Sequence, residues 1–230
     1  MQAVSAGRGL TGQLALFRPL ISPASVDVYA VSRPAREFTG DFFYTRRDGQ
    51  RLWFALGDVA GKGINAAVIM AMIQEELEAR IETLSDPAAV MAHLHEFLRT
   101  VLPPNKFASA VIGHLHDDGS LIVANAGHCA PVIVRESGAT KEIGSTGPVA
   151  GILPVARWRS TSEHLETGDS LVLYSDGLAE ARDDAGEEFG TRGVRAAASG
   201  RSAREIGESI LAAAYAYAAE DDLTLVVLTA

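Results

Sequence analysis

Regular structure first shows along this chain as short apolar runs separated by turn residues. Val26 to Ser32, Asp41 to Arg46 and Arg51 to Leu56 are rich in β-branched, aromatic and aliphatic residues and read as strands, the last two joined by the hairpin signal Asp48-Gly49. The period then becomes helical over residues 65 to 83, where Val68, Ile69, Met72, Ile73, Leu77 and Ile81 recur and Asn65 is the predicted N-cap. Ser85-Asp86-Pro87 starts a second helix, whose apolar face of Val90, Leu94, Phe97, Leu98 and Val101 stops at Pro103-Pro104. Strands resume at Phe107 to Leu115 and Leu121 to Ala126, a hairpin across Asp117-Asp118-Gly119, and continue at Val132 to Val134, Ser160 to Leu165 and Ser170 to Tyr174. An alanine-rich helix is predicted over Ala203 to Ala219, and the apolar run Leu223 to Thr229 predicts a last strand in an interior slot. This order predicts an α+β fold with mostly antiparallel neighbours.

Composition narrows the picture. A chain of 230 residues without an internal linker predicts one domain over 26–230, preceded by a frayed or docking segment over 1–25 that mixes Gly, Ser and Pro with the apolar Leu14 to Phe17. Hydrophobic residues at 47% and charged residues at 21% provide for a sizeable core and argue against extensive disorder. A net charge of -9 argues against nucleic acid and anionic membrane surfaces as partners. Cys129 stands alone, which excludes an internal disulfide and a cysteine-rich zinc site and predicts a buried, inert thiol in a reducing compartment. With neither a basic start followed by a long apolar stretch nor a later apolar run of about 18 residues, the expectation is a cytoplasmic protein without membrane insertion.

Several motifs invite rival interpretations. Gly61-Lys62-Gly63-Ile64-Asn65-Ala66 follows a strand and opens a helix, like a dinucleotide fingerprint, but a second helix stands where that fold needs a parallel strand ending in an acidic residue. Gly57 to Gly63 is one residue short for a phosphate loop and places Gly63 where a metal-binding hydroxyl belongs. Ser175 lies in Tyr-Ser-Asp-Gly, not in a nucleophile elbow, so covalent serine chemistry is disfavoured. His93 and His95 cannot face each other on a helix, and His114 and His116 lack a further zinc ligand nearby. His128 in Asn125-Ala126-Gly127-His128 reads first as a satisfied turn histidine just after a strand, within reach of a site. Lys62 reads equally as a solvated lysine or a phosphate contact.

Asp41, Asp58, Asp176, Asp221 and Asp222 recur at the polar ends of apolar runs, mostly beside glycine or a small residue. Any one alone is explained by a turn, as Asp48, Asp117 and Asp169 are. Together they suggest a carboxylate cage for hard divalent cations, which take oxygen ligands in octahedra completed by water. The strings around them are Pro34-Ala35-Arg36-Glu37-Phe38-Thr39-Gly40-Asp41-Phe42-Phe43, Leu56-Gly57-Asp58-Val59-Ala60-Gly61-Lys62-Gly63, Asn125-Ala126-Gly127-His128, Leu173-Tyr174-Ser175-Asp176-Gly177-Leu178 and Asp221-Asp222-Leu223-Thr224. In this order they resemble the metal-dependent protein phosphatase superfamily (PPM, protein phosphatase 2C-like), specifically its bacterial SpoIIE/RsbU type, over about Arg33 to Thr229.

The resemblance implies an α-β-β-α sandwich, two antiparallel sheets flanked by helices, with metals at one edge of the sheet pair. It implies that Asp58 bridges two Mn²⁺ or Mg²⁺ ions with help from the Val59 carbonyl. Asp176 and Asp221 would hold one ion and Asp41 would act directly or through coordinated water, with Asp222 the lesser ligand of its pair. Tyr44 stands where relatives commonly carry a further acidic residue. The activity implied is hydrolysis of phosphoserine or phosphothreonine by metal-activated water, on a phosphorylated regulatory protein such as an anti-sigma factor antagonist. A regulatory domain or a homodimer completes the partner expectations. Two alternatives share these features: a noncatalytic phosphatase-like binding module, and a hydrolase of small phosphoesters.

Overall fold

A computed structural model describes residues 26–35, 40–60 and 64–230, with only the backbone path given for 64–67. The segment 1–25 and Lys62 lie outside the described residues. Among the described residues ten strands form two five-stranded antiparallel sheets. The first contains β1 (Asp27–Arg33), β10 (Leu223–Thr229), β9 (Ser170–Tyr174), β6 (Val132–Val134) and β7 (Thr140–Glu142), in that spatial order. The second runs β2 (Asp41–Asp48), β3 (Arg51–Val59), β4 (Ala108–His116), β5 (Ser120–Ala126) and β8 (Thr161–His164).

Alternation along each strand divides the interior into three apolar layers. Trp53, Ala55, Ala110, Ile112 and Ala124 of the second sheet meet Ile73, Leu77, Met91, Leu94 and Leu98 from α1 (Ile64–Ile81) and α2 (Pro87–Val101). Leu52, Phe54, Leu56, Val111 and Val123 point the other way, onto Leu171, Leu173, Val226 and Leu228 of the first sheet. On the far side of that sheet Val172, Tyr174, Leu225 and Val227 pack under Val194 of α4 (Gly190–Ala197) and Ile206 and Ile210 of α5 (Ala203–Ala214). Helices thus cover the outer faces and the two sheets bury their inner faces against each other, the predicted α+β sandwich. No helix among the described residues is long and apolar enough to cross a membrane.

Element boundaries mostly move by one to three residues from the sequence expectation, with three further differences. Asn65 is not an N-cap: it is the second residue of α1. The helix expected to reach Ala219 ends at Ala214, because Ala218 pairs with Arg182 through two backbone hydrogen bonds and draws the chain out of the helical path. Three elements were not expected: β7, the single turn α3 (Asp176–Ala179) and α4. At the start of α2 the expected cap is present, with Asp86 accepting a hydrogen bond from the Ala88 amide at 3.2 Å and Pro87 in the first turn.

Candidate active site

The layer between the sheets is apolar along most of its length and turns polar at one end. On β3 the inward positions Leu52, Phe54 and Leu56 are followed, two residues on, by Asp58. On β2 the same parity that turns Phe43 toward this layer applies to Asp41. Thr224 precedes Val226 and Leu228 in register on β10, and Ser175 follows Leu171 and Leu173 beyond the end of β9. Period two therefore carries two carboxylates from one sheet and two hydroxyls from the other to a single mouth.

Asp41 and Asp58 are directly paired across β2 and β3, and Asp58 is paired on its other side with Ser109 of β4. Facing residues of an antiparallel pair hold their side chains close together, where like charges repel. Asp41 is 4% exposed. Burial above all pushes its carboxyl up to about 8; the Thr224 hydrogen bond pulls the other way, and repulsion from Asp58 adds to the rise. Val59, next along the strand, buries its side chain in the helix-side layer and donates its amide to the Gly40 carbonyl at 3.2 Å.

The other half of the mouth is built by a close backbone approach. Asp176 opens α3 directly after β9, and Asp221-Asp222 leads into β10. At Gly177 a Cβ would lie 2.1 Å from the Asp222 carbonyl oxygen and 2.9 Å from that of Asp221. Glycine after Asp176 is what lets these two segments touch. Asp176 is likewise raised above the ordinary carboxylate range, first by burial and then by Asp221.

Asp222 differs in kind from its neighbour. Its two carboxylate oxygens accept the amides of Ala35 at 2.8 Å and Gly40 at 3.0 Å, so it ties down both ends of the stretch that leads to Asp41. Both of its oxygens are thus engaged by backbone amides. His128 is a buried turn residue: Asn125 Oδ1 accepts its amide at 2.9 Å, Asn125 Nδ2 donates to its carbonyl at 3.2 Å, and Gly127 supplies φ +66. Its Nδ1 lies 2.8 Å from Ser109 Oγ, while the ring also nears the Tyr174 carbonyl without a well-aimed hydrogen bond from Nε2. Cys129 is held protonated, its thiol pushed up to about 12 by burial and then by Asp176 and Glu180.

The donor set is all oxygen, which suits Mg²⁺ or Mn²⁺ and not a soft metal. Among the described residues no three Asp, Glu, His or Cys side chains enclose one point by themselves. The carboxylates instead stand in facing groups from the two sheets, compatible with ions that keep several waters and use one or two carboxylates each. Thr224, Ser175 and Ser109 went unassigned by sequence reasoning, although strand parity alone puts all three on the inner face.

Comparison with known proteins places this geometry. The family described as Stage II sporulation protein E (SpoIIE) matches residues 48–230. Phosphoserine phosphatase RsbU of Bacillus subtilis (strain 168) is 30% identical over 164 residues, 70% of this chain and 49% of RsbU, so the chain spans about half the length of that relative. Among solved structures, the RsbU and RsbW domains of Rv1364c from Mycobacterium tuberculosis superpose with TM-score 0.77 at 25% identity, covering 89% of this chain and 61% of that one. RsbX in complex with magnesium superposes at 0.69 and 18% identity over 89% of this chain and 94% of RsbX, a likeness of fold. On the family match over residues 48–230 and the shared sandwich, the chain belongs to the SpoIIE/RsbU type of the PPM, protein phosphatase 2C-like, superfamily.

Proposed function

We propose that this chain is a metal-dependent phosphoserine/phosphothreonine protein phosphatase whose site is the carboxylate mouth between the sheets. The observation that carries the proposal is the direct pairing of Asp41 with Asp58 at the end of the inter-sheet layer, facing the segments that carry Asp176 and Asp221. Two ionised carboxylates buried in this way repel, so one takes a proton unless a cation is shared among them. Asp58, the Val59 carbonyl, Asp176 and Asp221 would hold two divalent ions, Mn²⁺ or Mg²⁺, with Asp41 beside them. Magnesium in RsbX, a relative by fold, supports that choice. When bound, such ions supply Lewis-acid charge for phosphoryl oxygens and lower the pKa of coordinated water.

The chain's own residues then do three things. Asp41, held by Thr224, offers a carboxylate to water on the inner side of the site. Gly177 keeps Asp176 and Asp221 together, and Asp222 holds the amides of Ala35 and Gly40, the latter next to Asp41. Beside Asp221 runs a groove of about 340 Å³ lined by Arg33, Pro34, Leu211, Tyr215 and Leu223. Arg33 and Tyr215 are exposed at its rim and can meet polypeptide flanking a phosphorylated residue. That feature favours a phosphoprotein over a small phosphoester, and the RsbU likeness favours a regulatory protein of the anti-sigma factor antagonist kind.

The test is phosphate release from phosphoserine and phosphothreonine peptides, candidate phosphoproteins and small phosphoesters, with Mn²⁺, with Mg²⁺ and in chelator, for the wild-type chain and Asp176→Asn. Turnover that requires metal, favours phosphoprotein and falls at least about 100-fold in the variant is expected for a ligand loss. Equal turnover in chelator and in the variant would refute the mechanism. Faster turnover of free metabolites would move the substrate assignment to small phosphoesters, and partner binding without turnover would make the domain a docking module.

A further inference from the structure

We infer that Thr224 is a positioning residue that sets the Asp41 carboxylate against the opposite half of the site, an inference that rests on the proposed metal role of Asp41. The two residues come from different sheets, Asp41 from β2 and Thr224 from β10. Thr224 Oγ1 lies 2.6 Å from Asp41 Oδ2, in the short range of hydroxyl–carboxylate bonds, and Thr224 is 0% exposed.

A hydroxyl has a single proton, and an ionised carboxylate can only accept. Thr224 Oγ1 is placed to donate either to Asp41 or to the Ser32 hydroxyl, 3.1 Å away on β1, and once Asp41 is ionised the shorter, charge-assisted contact takes the proton. The threonine cannot easily turn aside. Its amide donates to Ser175 Oγ at 2.8 Å, its carbonyl accepts the Ser175 amide at 2.9 Å, and Ser175 Oγ donates onward to the Asp222 carbonyl at 3.0 Å. Its β-branch further restricts χ1.

Thr224 thus ties one carboxylate of the second sheet to the two segments of the first that carry its partners. Ser175 immediately precedes Asp176, and Thr224 follows Asp221 by three residues. The inner faces otherwise meet through apolar side chains, whose contacts are not directional, and the polar links Lys141–Glu163 and Arg135 to the His164 carbonyl lie at the β7–β8 edge. At the mouth a short, directional bond sets how far Asp41 stands from Asp176 and Asp221. Partners that orient ligands in this way commonly control metal affinity by about 10- to 100-fold.

Thr224→Val keeps shape and removes the hydroxyl, while Thr224→Ser keeps the hydroxyl and relaxes the rotamer. The probe is Mn²⁺ itself, with unbound ion measured by electron paramagnetic resonance, alongside kcat and KM for p-nitrophenyl phosphate across Mn²⁺ concentrations and melting in chelator. The expected result is Mn²⁺ affinity weakened about 10- to 100-fold in the valine variant and largely restored in the serine variant. Turnover of the valine variant should recover toward wild type at high Mn²⁺ with KM little changed, which a general loss of stability would not produce. Valine and wild-type proteins binding Mn²⁺ equally would overturn the positioning role while leaving the site proposal intact. No Mn²⁺ binding by the wild-type chain would remove the site proposal and this inference together. If the valine variant does not fold, Thr224→Ala removes the same hydroxyl and decides by the same affinity measurement.

Discussion

Gly177 shows how one small residue can decide whether a site exists. Its missing Cβ is the space occupied by the Asp222 carbonyl, so Gly177→Ala must push apart the segments carrying Asp176 and Asp221. A loss of about 1–3 kcal/mol in urea titrations is expected, with loss of metal-dependent turnover even in the fraction that remains folded. Unchanged stability would mean that the backbones do not meet there. His128 gives a pH signature of opposite charge type to the carboxylates'. Burial lowers its pKa from 6.5 to about 4, so the unfolded chain takes up this proton first as pH falls. Its contribution is complete above pH 6.5 and is lost as pH drops toward 4, approaching about 3 kcal/mol there. Urea titrations in chelator at pH 7 and pH 4.5 should show a shallower loss for His128→Gln than for wild type; identical losses would exclude the histidine. The aspartates proposed for the site were singled out by their local strings at the polar ends of apolar runs, whereas Thr224 and Ser109 were not singled out. A hydroxyl at the end of a strand is common, and only the pairing of two sheets reveals which carboxylate it meets.

Elements whose sequence agreed with their surroundings were read nearly to the residue. β6, β9 and β10 match the expected bounds, because a buried strand needs a continuous apolar run and turn residues delimit it. α4 could not be read in this way: Gly190–Ala197 contains two glycines and buries only Val194, so its own propensity is poor. Phe189 lies against Gly193 and joins the layer under α4 and α5, so packing overrides propensity. β7 is a three-residue edge strand, with Lys141 and Glu142 exposed, that exists through pairing with β6, a contact absent from local sequence. α2 is the opposite case, with its start written locally. Asp86 accepts the Ala88 amide, and Ser160, beside β8, donates to the same carboxylate and accepts from that amide at 3.1 Å. Asp86→Ala should cost about 1 kcal/mol, seen as a melting temperature lowered by roughly 2–4 °C. Metal-dependent turnover should persist, since the cap lies at the start of α2 and not in the carboxylate mouth. A variant that melts like wild type would show that Ser160 alone satisfies the helix start.

Across the whole molecule, the two sheets each supply part of the proposed site, with Asp41 and Asp58 on one side and Asp176 and Asp221 on the other. Metal binding should therefore be read out as cohesion between the sheets. An ion that binds only the folded chain adds RT ln(1 + [L]/Kd), about 2.7 kcal/mol at a hundredfold excess over Kd. For a domain of this length that corresponds to a rise in melting temperature of roughly 5–10 °C. Wild-type protein stripped with chelator and returned to Mn²⁺ or Mg²⁺ should show that rise, and Asp58→Asn should show almost none. In chelator the ordering reverses, because replacing Asp58 by a neutral isostere removes the charge paired directly against Asp41. Metal-free Asp58→Asn should accordingly melt at or above metal-free wild type. An equal metal-induced rise in both proteins would place the ions away from this mouth. A lower melting point for the metal-free variant would mean that the Asp58 carboxylate is held by contacts worth more than its repulsion from Asp41.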